Sequence, residues 1–571
     1  MTLPEPRTTD DTHLRKLRGT VPVNAVLHVW LKAIHPHAPG EMQLSLNDQR
    51  FGNIFVQNSE EYEFRMFFMP HGGELECAYD PETTTISVAY WFTDASVLEE
   101  GITVLRTHAA NAPAPAPGSY HFRPPFGWMN DPNGFGRFNG SAHLFYQHYS
   151  HGLTWNTMHW GHAISEDFLH WRHLPIFLFP SEDLTHRPDK RGGAFSGSAI
   201  PLDNSNGIRV FFTEHVIERA PEREIQMMAT SQSLIFAGAA KPLIDKRPEL
   251  EGLTLDFRDP YVFRGPDGYW KMLLGSRLGE DGVVLLYQTS DVTASGDWEF
   301  VDVLHSENRF NTQVIECPCL LPLDGPAGDP TTRWVLICGL MHSHHEETGR
   351  KNLSLATVGH FDGKSFTPEF EQELDFIVDN YAFQAFLDSG TPVGIGWLAN
   401  WADAAPEIDF PTAMTLPRNL VYDQEDETLL TPPIEGVETL RDHLIDEETL
   451  ASGEAVMLET GQVEIVIELD DPGTPFELDF YHNNIEMMVQ VDQEGLRFVY
   501  HDDTQGPSPD YVAPGAKPSH IRVFLDIGSV EVFADNGRWA GTKRIAGFDP
   551  VHSIRIREGR VKSAKVWGLA L

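Results

Sequence analysis

The sequence predicts an all-β protein: a propeller in the middle of the chain, a β-sandwich after it and a small β-rich domain before it. Three features carry this prediction. Short apolar runs rich in β-branched and aromatic residues recur through the middle of the chain, separated by turn pairs such as Asp267-Gly268, Asp324-Gly325 and Asp362-Gly363. Near-strict apolar–polar alternation takes over from Gly461, the pattern of half-buried strands. The Pro/Ala stretch Asn111–Ser119 separates the first block from the rest.

In the first block, residues 1–118, Val23–Leu31 and Thr85–Phe92 read as strands, with the acidic Ser59–Glu63 between them. Alternating Pro and Ala then give an extended, semi-rigid spacer that joins neither a helix nor a central strand. The expectation is a separate accessory domain whose aromatics (Trp30, Tyr62, Phe67, Phe68, Tyr90, Trp91, Phe92) mostly form its own core. It is a candidate for homo-oligomer contacts, carbohydrate binding or cover over a pocket. In residues 119–430 the strands are expected at His143–Tyr149, Ile208–Thr213, Tyr269–Leu274, Gly282–Thr289, Arg333–Gly339 and Val393–Trp397. Roughly 300 residues is too much for one sandwich and suits four-stranded blades about an axis. Residues 431–571 form the last block. Val437–Leu450 reads as a connector with helical character, since Val437, Leu440 and Leu444 share one side. Val463–Leu469, Ile521–Phe524 and Ser529–Phe533 read as strands of a sandwich, with turns at Asp526-Ile527-Gly528 and Asp535-Asn536-Gly537.

Composition narrows the function. The net charge of −41 repels nucleic acid phosphates and anionic membranes, so a small neutral substrate is expected and neither of those partners. The four cysteines, Cys77, Cys317, Cys319 and Cys338, include no CxxC pair, which argues against a zinc framework and fits a reducing compartment. Met1–Asp11 lacks a basic-then-apolar signal pattern, and no apolar run reaches the roughly 20 residues of a membrane helix. A cytoplasmic location follows as the expectation. His342–Glu347 holds three His and two Glu, but reads as a polar loop; no metal or other cofactor is expected.

Three short motifs can carry chemistry. Trp128-Met129-Asn130-Asp131-Pro132-Asn133-Gly134 reads as a sharp turn that fixes the direction of Asp131, beside large apolar residues suited to a sugar pocket. Phe257-Arg258-Asp259-Pro260 sets a cation next to Asp259 and suggests a carboxylate kept ionised. Val314-Ile315-Glu316-Cys317-Pro318 places Glu316 at a strand end with an apolar lead-in, which raises a carboxyl pKa as a general acid requires. Each motif alone is weak. Together they supply a nucleophile, a stabiliser and an acid/base, the set used in retaining glycoside hydrolysis. Aromatic and amide residues around them suit sugar faces and hydroxyls. Among these, Phe145, Trp160 and Trp401 are equally at home in a blade core.

On these motifs the chain resembles glycoside hydrolase family 32, the invertases, inulinases and levanases. Phe145-Tyr146-Gln147, Met158–Ala163, Phe195–Ser198, Gly396-Trp397 and Ala413–Arg418 resemble further stretches of that family in the same order, and Asp526–Phe533 resembles its C-terminal sandwich. The resemblance covers Tyr120 to Leu571 and leaves residues 1–118 without a recognised counterpart. It implies a five-bladed β-propeller followed by a C-terminal β-sandwich. It implies Asp131 as nucleophile, Glu316 as general acid/base and Asp259 as transition-state stabiliser. Asn130, Gln147, Trp155, Phe195, Ser196, Arg258, Tyr381 and Trp397 would bind the sugar. Two positions depart from the family pattern: Cys319, where an acidic or amide residue is common, and Asn380, where an aromatic is. The activity implied is hydrolysis of terminal β-fructofuranosides of sucrose and short fructo-oligosaccharides. Alternatives on the same site are fructosyl transfer or exo-inulinase/levanase action, and on the same scaffold a non-catalytic carbohydrate-binding protein.

Overall fold

A computed structural model describes residues 13–106, 119–181, 192–203, 205–293, 297–402, 412–483, 485–502, 508–545 and 550–571. The Pro/Ala spacer, except Ser119, and the first twelve residues lie outside the described residues. Helical elements among the described residues are short, Val97–Glu100 and the 3-10 turn Val437–Leu440; the rest of the regular structure is strand. No helix among them is long and apolar enough to cross a membrane.

The N-terminal domain is two four-stranded sheets. Leu27, Val29 and Leu31 of strand Ala25–Ala33 face Leu44, Leu75 and Cys77 of the opposing sheet in one core. The other face of strands Ala25–Ala33 and Thr84–Phe92 is also buried. Trp30, Tyr90 and Phe92 pack there on Ile164, Leu174, Ile176 and Ile235 of the propeller. Several aromatics expected in the domain's own core thus form its seam with the propeller, while Phe68 stays 60% exposed.

Among the described residues five four-stranded antiparallel sheets follow; four run outward in chain order, and in the last the short strands Ala413–Met414 and Arg418–Asn419 both pair with Thr391–Leu398. Their innermost strands are Trp128–Phe138, Gly192–Pro201, Leu253–Arg264, Val314–Pro322 and Tyr381–Asp388. Each packs on the next, and the last packs on the first, closing the ring of the propeller. Side chains tie the ring where backbone ladders do not. Gln384 accepts from the Phe135 amide at 2.8 Å and donates to the Gly197 carbonyl at 3.0 Å. The Arg137–Asp388 pair, at 2.7 Å, joins the last sheet to the first.

Every innermost strand carries the same irregularity. Two of its residues stand opposite one residue of the second strand: Asn130-Asp131 opposite Gln147, Phe195-Ser196 opposite Thr213, Asp259-Pro260 opposite Leu274, Cys317-Pro318 opposite Cys338, and Ala382-Phe383 opposite Gly396. Such β-bulges turn side chains away from the ordinary alternation of a strand. Asp131, expected in a sharp turn, is therefore inside a strand. An edge strand at a bulge tolerates Pro132, which has no amide to donate. At Gly197 the second strand comes so close that a Cβ would lie 1.9 Å from the Phe211 carbonyl oxygen.

The C-terminal domain is a sandwich of two six-stranded sheets. Its connector keeps only the Val437–Leu440 turn. Arg441–Asp446 is an edge strand paired with Val561–Leu569, and Leu444 is exposed, so ladder hydrogen bonding overrides the helical spacing there. The seam between propeller and sandwich is apolar, with Phe122 and Leu416 packed against Phe524 and Phe533, and is crossed by buried ion pairs. His121 meets Asp526 through Nδ1 at 2.9 Å and Glu531 through Nε2 at 2.8 Å, with all three side chains fully buried. Arg418 bridges Asp375 and Glu531 at 2.6 and 2.9 Å. Both ring nitrogens of His121 face carboxylates, so both donate and the ring is an imidazolium. Burial opposes that charge, but the bonds to Asp526 and Glu531 outweigh it and raise the His121 pKa. Burial likewise opposes ionised Asp526, yet His121 holds that carboxyl down at about 2.

Removing the cation leaves two buried carboxylates short of a partner, and we expect His121→Ala to cost about 3–5 kcal/mol near pH 6. His121 gains its pKa on folding, so its stabilisation is complete below the unfolded value of about 6.5 and is lost as pH rises through the folded value. Denaturant unfolding of both proteins across pH checks this. The gap between them should narrow on the alkaline side, and a gap that is constant or absent refutes the His121 ion pairs.

Candidate active site

The bulges bring one face of the ring together around a cavity of about 390 Å³. Asn130, Asp131, Gln147, Trp155, Phe195, Ser196, Arg258, Asp259 and Glu316 all line it. Tyr381 and Trp397, expected on this wall, lie behind it with 0% exposure. The Tyr381 hydroxyl donates to Glu316 Oε2 at 2.9 Å, and the Trp397 indole donates to Thr412 Oγ1 at 2.9 Å.

Asp131 is half-buried and held on both oxygens. Asn130 Nδ2 donates to Oδ1 at 2.9 Å and Ser196 Oγ to Oδ2 at 2.6 Å. Asn130 is itself fixed by the Trp128 indole at 2.8 Å. Asp259 is buried in a left-handed conformation, φ 64°, and its Oδ2 accepts from the Cys317 amide at 2.9 Å. One thiol links the two aspartates: Cys317 Sγ is 3.5 Å from Asp131 Oδ2 and 3.5 Å from Asp259 Oδ2. Burial and the surrounding carboxylates push the Cys317 pKa up, so it stays a thiol and donates.

Arg258 does not pair with its neighbour Asp259 as the sequence suggested. Its guanidinium reaches Glu316 Oε1 at 3.1 Å, Glu224 at 3.2 Å and Asp256 at 2.9 Å. Without a hydrogen-bonded cation, Asp259 is driven the other way. Burial, with the Glu316 and Asp131 charges, pushes it up to about 8 against the pull of Arg258. Burial and Asp131 also raise Glu316, while Arg258 and Tyr381 hold it back. The two buried carboxyls, Asp259 and Glu316, thus both tend to keep a proton. A carboxyl that keeps its proton is the condition for general-acid chemistry near neutral pH.

Further wall residues lie outside those named from the sequence: His215, Ile217, Arg223, Glu224, Asp256 and Met341. Trp401 stacks on Trp128, rings 5.9 Å apart at 24°, and lines the cavity rather than a blade core. His215 stacks flat on Phe195 at 4.5 Å and bonds Glu224 at 2.9 Å, which links that aromatic wall to Arg258. Asp256 and Arg258 are two apart on one strand, a spacing that could have flagged them; Glu224 comes from another sheet and had no local signal.

A family model described as the glycosyl hydrolases family 32 N-terminal domain matches residues 121–433. A sucrose-6-phosphate hydrolase of Zymomonas mobilis is 30% identical over 478 residues, covering 75% of this chain and 85% of its own. An extracellular exo-inulinase of Aspergillus niger is 28% identical over 522 residues, covering 79% and 94%. Among solved structures, a glycoside hydrolase family 32 protein from Bifidobacterium adolescentis superposes with a TM-score of 0.83 at 21% identity, over 97% of this chain and 99% of that one. A Bombyx mori GH32 beta-fructofuranosidase gives 0.66 at 25% identity, over 79% and 94%. The first of these spans the N-terminal block as well, so that domain has a counterpart in fold that its sequence did not reveal.

Since the Tyr381 hydroxyl favours ionised Glu316, Tyr381→Phe raises the Glu316 pKa further. The alkaline limb of the pH–rate profile should move to higher pH, and an unmoved limb would show that Glu316 is not the proton donor. By its matched family model, its relatives and its propeller-and-sandwich fold, the chain belongs to glycoside hydrolase family 32 and is a glycoside hydrolase.

Proposed function

We propose that the protein is a retaining β-fructofuranosidase that removes terminal fructose from sucrose and short fructo-oligosaccharides. The observation that carries this reading is the convergence of three differently held carboxyls on one small cavity. Asp131, oriented through both oxygens, attacks the anomeric carbon and forms a fructosyl ester. Glu316 gives its proton to the departing glycosidic oxygen, then takes one from the water that cleaves the ester. Asp259, in its ionised form, faces the positive charge that develops on the sugar ring and accepts from its hydroxyls. Asn130, Gln147, Trp155, Phe195, Ser196 and Arg258 supply the polar and aromatic contacts of the pocket, and Tyr381 and Trp397 support them from behind.

The charge balance of the wall favours a neutral sugar. Asp131, Glu224, Asp256, Asp259 and Glu316 face the cavity, against Arg223 and Arg258. Arg258 is already shared by three carboxylates, and Arg223 lies 3.5 Å from Asp256. A phosphate entering this wall meets surplus negative charge, although the Zymomonas relative is named for a phosphorylated sucrose. All four cysteines are free and buried, which suits a reducing cytoplasm.

Sucrose, sucrose 6-phosphate, a short inulin-type oligosaccharide and levan should be compared as substrates. Sucrose should exceed its phosphate in kcat/KM by at least about tenfold, the size of one unfavourable charge contact. Asp131→Ala and Glu316→Ala should each lower kcat by about 10³-fold or more. The first fructose released should be the β anomer by NMR. Preference for the phosphate overturns the substrate assignment, and an α product overturns the retaining mechanism.

A further inference from the structure

The cavity wall that carries Trp155 is braced from outside by the N-terminal domain. Segment 150–157 leaves strand Ser141–Tyr149 and is anchored inside the propeller by the Trp128 amide, which donates to the Gly152 carbonyl at 3.0 Å. On its other side it meets residues 58–63. The Tyr62 amide donates to the His151 carbonyl at 3.0 Å, and His151 Nδ1 donates back to the Tyr62 carbonyl at 2.5 Å. The Tyr62 ring is buried edge-on against Phe126, centroids 5.4 Å apart. Beside this clasp, Glu61 Oε1 accepts from Asn156 Nδ2 at 3.0 Å, and burial with the nearby Glu61 charge pushes the Tyr149 phenol pKa up.

Glu61 is therefore bonded to the residue directly after Trp155, and its charge acts on Tyr149 at the end of the strand before it. Trp155 in turn lies edge-on to Phe195 at 5.9 Å, on the cavity wall. A carboxylate accepting from a neutral amide makes a stronger hydrogen bond than a neutral acceptor. Nearby Lys32 adds its charge from the same domain, while its own ammonium donates to the Glu60 carbonyl at 3.1 Å.

We infer that Glu61 of the N-terminal domain is a positioning residue for the active site: through Asn156 it holds the segment that presents Trp155 to the substrate. The accessory domain then completes the sugar-binding wall without itself entering the cavity. The inference rests on the fructoside reading above for its kinetic consequence, but its structural half stands independently. Asp131, Asp259 and Glu316 sit on propeller strands, so loosening the segment affects binding more than chemistry.

The test uses the full chain as Glu61→Ala, Glu61→Gln and, as a control on the exposed neighbour, Glu60→Ala. Two readouts are taken: hydrogen–deuterium exchange over residues 150–157, and kcat and KM on sucrose. Loss of hydrogen bonds to a charged acceptor corresponds to roughly a tenfold effect. Glu61→Ala should speed exchange in this segment and raise KM about tenfold each, with kcat within about twofold of wild type. Glu61→Gln keeps an acceptor oxygen and should recover most of both effects, and Glu60→Ala should match wild type. Unchanged exchange in Glu61→Ala overturns the inference. So does a fall in kcat with KM unmoved, or a Glu61→Gln protein as impaired as Glu61→Ala. Exchange needs no turnover, so an enzyme inactive on sucrose would refute the functional reading while the exchange data still judged Glu61.

Discussion

The site depends on one backbone device repeated around the ring. In each innermost strand two residues stand where the ladder has room for one, at the same end of the propeller. A regular strand would send successive side chains to opposite faces of its sheet. The bulge instead lets Asp131, Ser196, Asp259, Glu316 and Tyr381 act at one point from five sheets. In three of the strands the first bulged residue is left-handed: Asp259, Cys317 and Ala382 have φ of 64°, 48° and 51°. Such conformations are uncommon for residues with a side chain and persist where surrounding packing imposes them. Here the ring closure, with its Gln384 and Arg137–Asp388 ties, supplies that constraint.

Electrostatics follows from this geometry. Five acidic side chains face one small cavity, and Arg258 is the cation that three of them share. Arg258 makes no ion pair with Asp259 and reaches across to Glu316. Glu316, raised by burial and the Asp131 charge, and an oriented Asp131 then coexist within one site, as acid and nucleophile chemistry together demand. The N-terminal domain and the sandwich lie outside this centre and brace it from two sides. The first does so through a seam of aromatic packing and the Glu61 contacts, the second through the buried His121 and Arg418 ion pairs.

Much of this was legible in the sequence, and the exceptions have physical causes. The three blocks of strands were visible because turn pairs and period-two alternation are local signals. The carboxyl motifs were visible because Pro132, Pro260 and Pro318 mark the bulges, although Asp131-Pro132 read as a turn. An edge strand can drop a ladder bond, and nothing in the local sequence separates that case from a turn. The pairing of Arg258 with Glu224 and Glu316 was hidden because both partners arrive from other sheets. Sequence adjacency suggested Asp259 instead. Tyr381 was placed on the pocket wall, but its ring is buried and only its hydroxyl reaches the site, through Glu316. The departure at Asn380 belongs to the domain seam, where its amide donates to Asp375 at 2.9 Å. The helical spacing after Val437 lost to pairing with a strand more than a hundred residues away.

The division of labour between Asp131 and Glu316 is the centre of this account. It is tested most directly by mass spectrometry of Glu316→Gln protein mixed with β-fructosyl fluoride, whose leaving group needs no proton. With the acid/base removed, the first step still proceeds and the second stalls, so a fructosyl group should accumulate on a peptide containing Asp131. Absence of an adduct while fluoride is still released, or an adduct on another residue, would contradict the assignment of Asp131 as nucleophile and Glu316 as its acid/base.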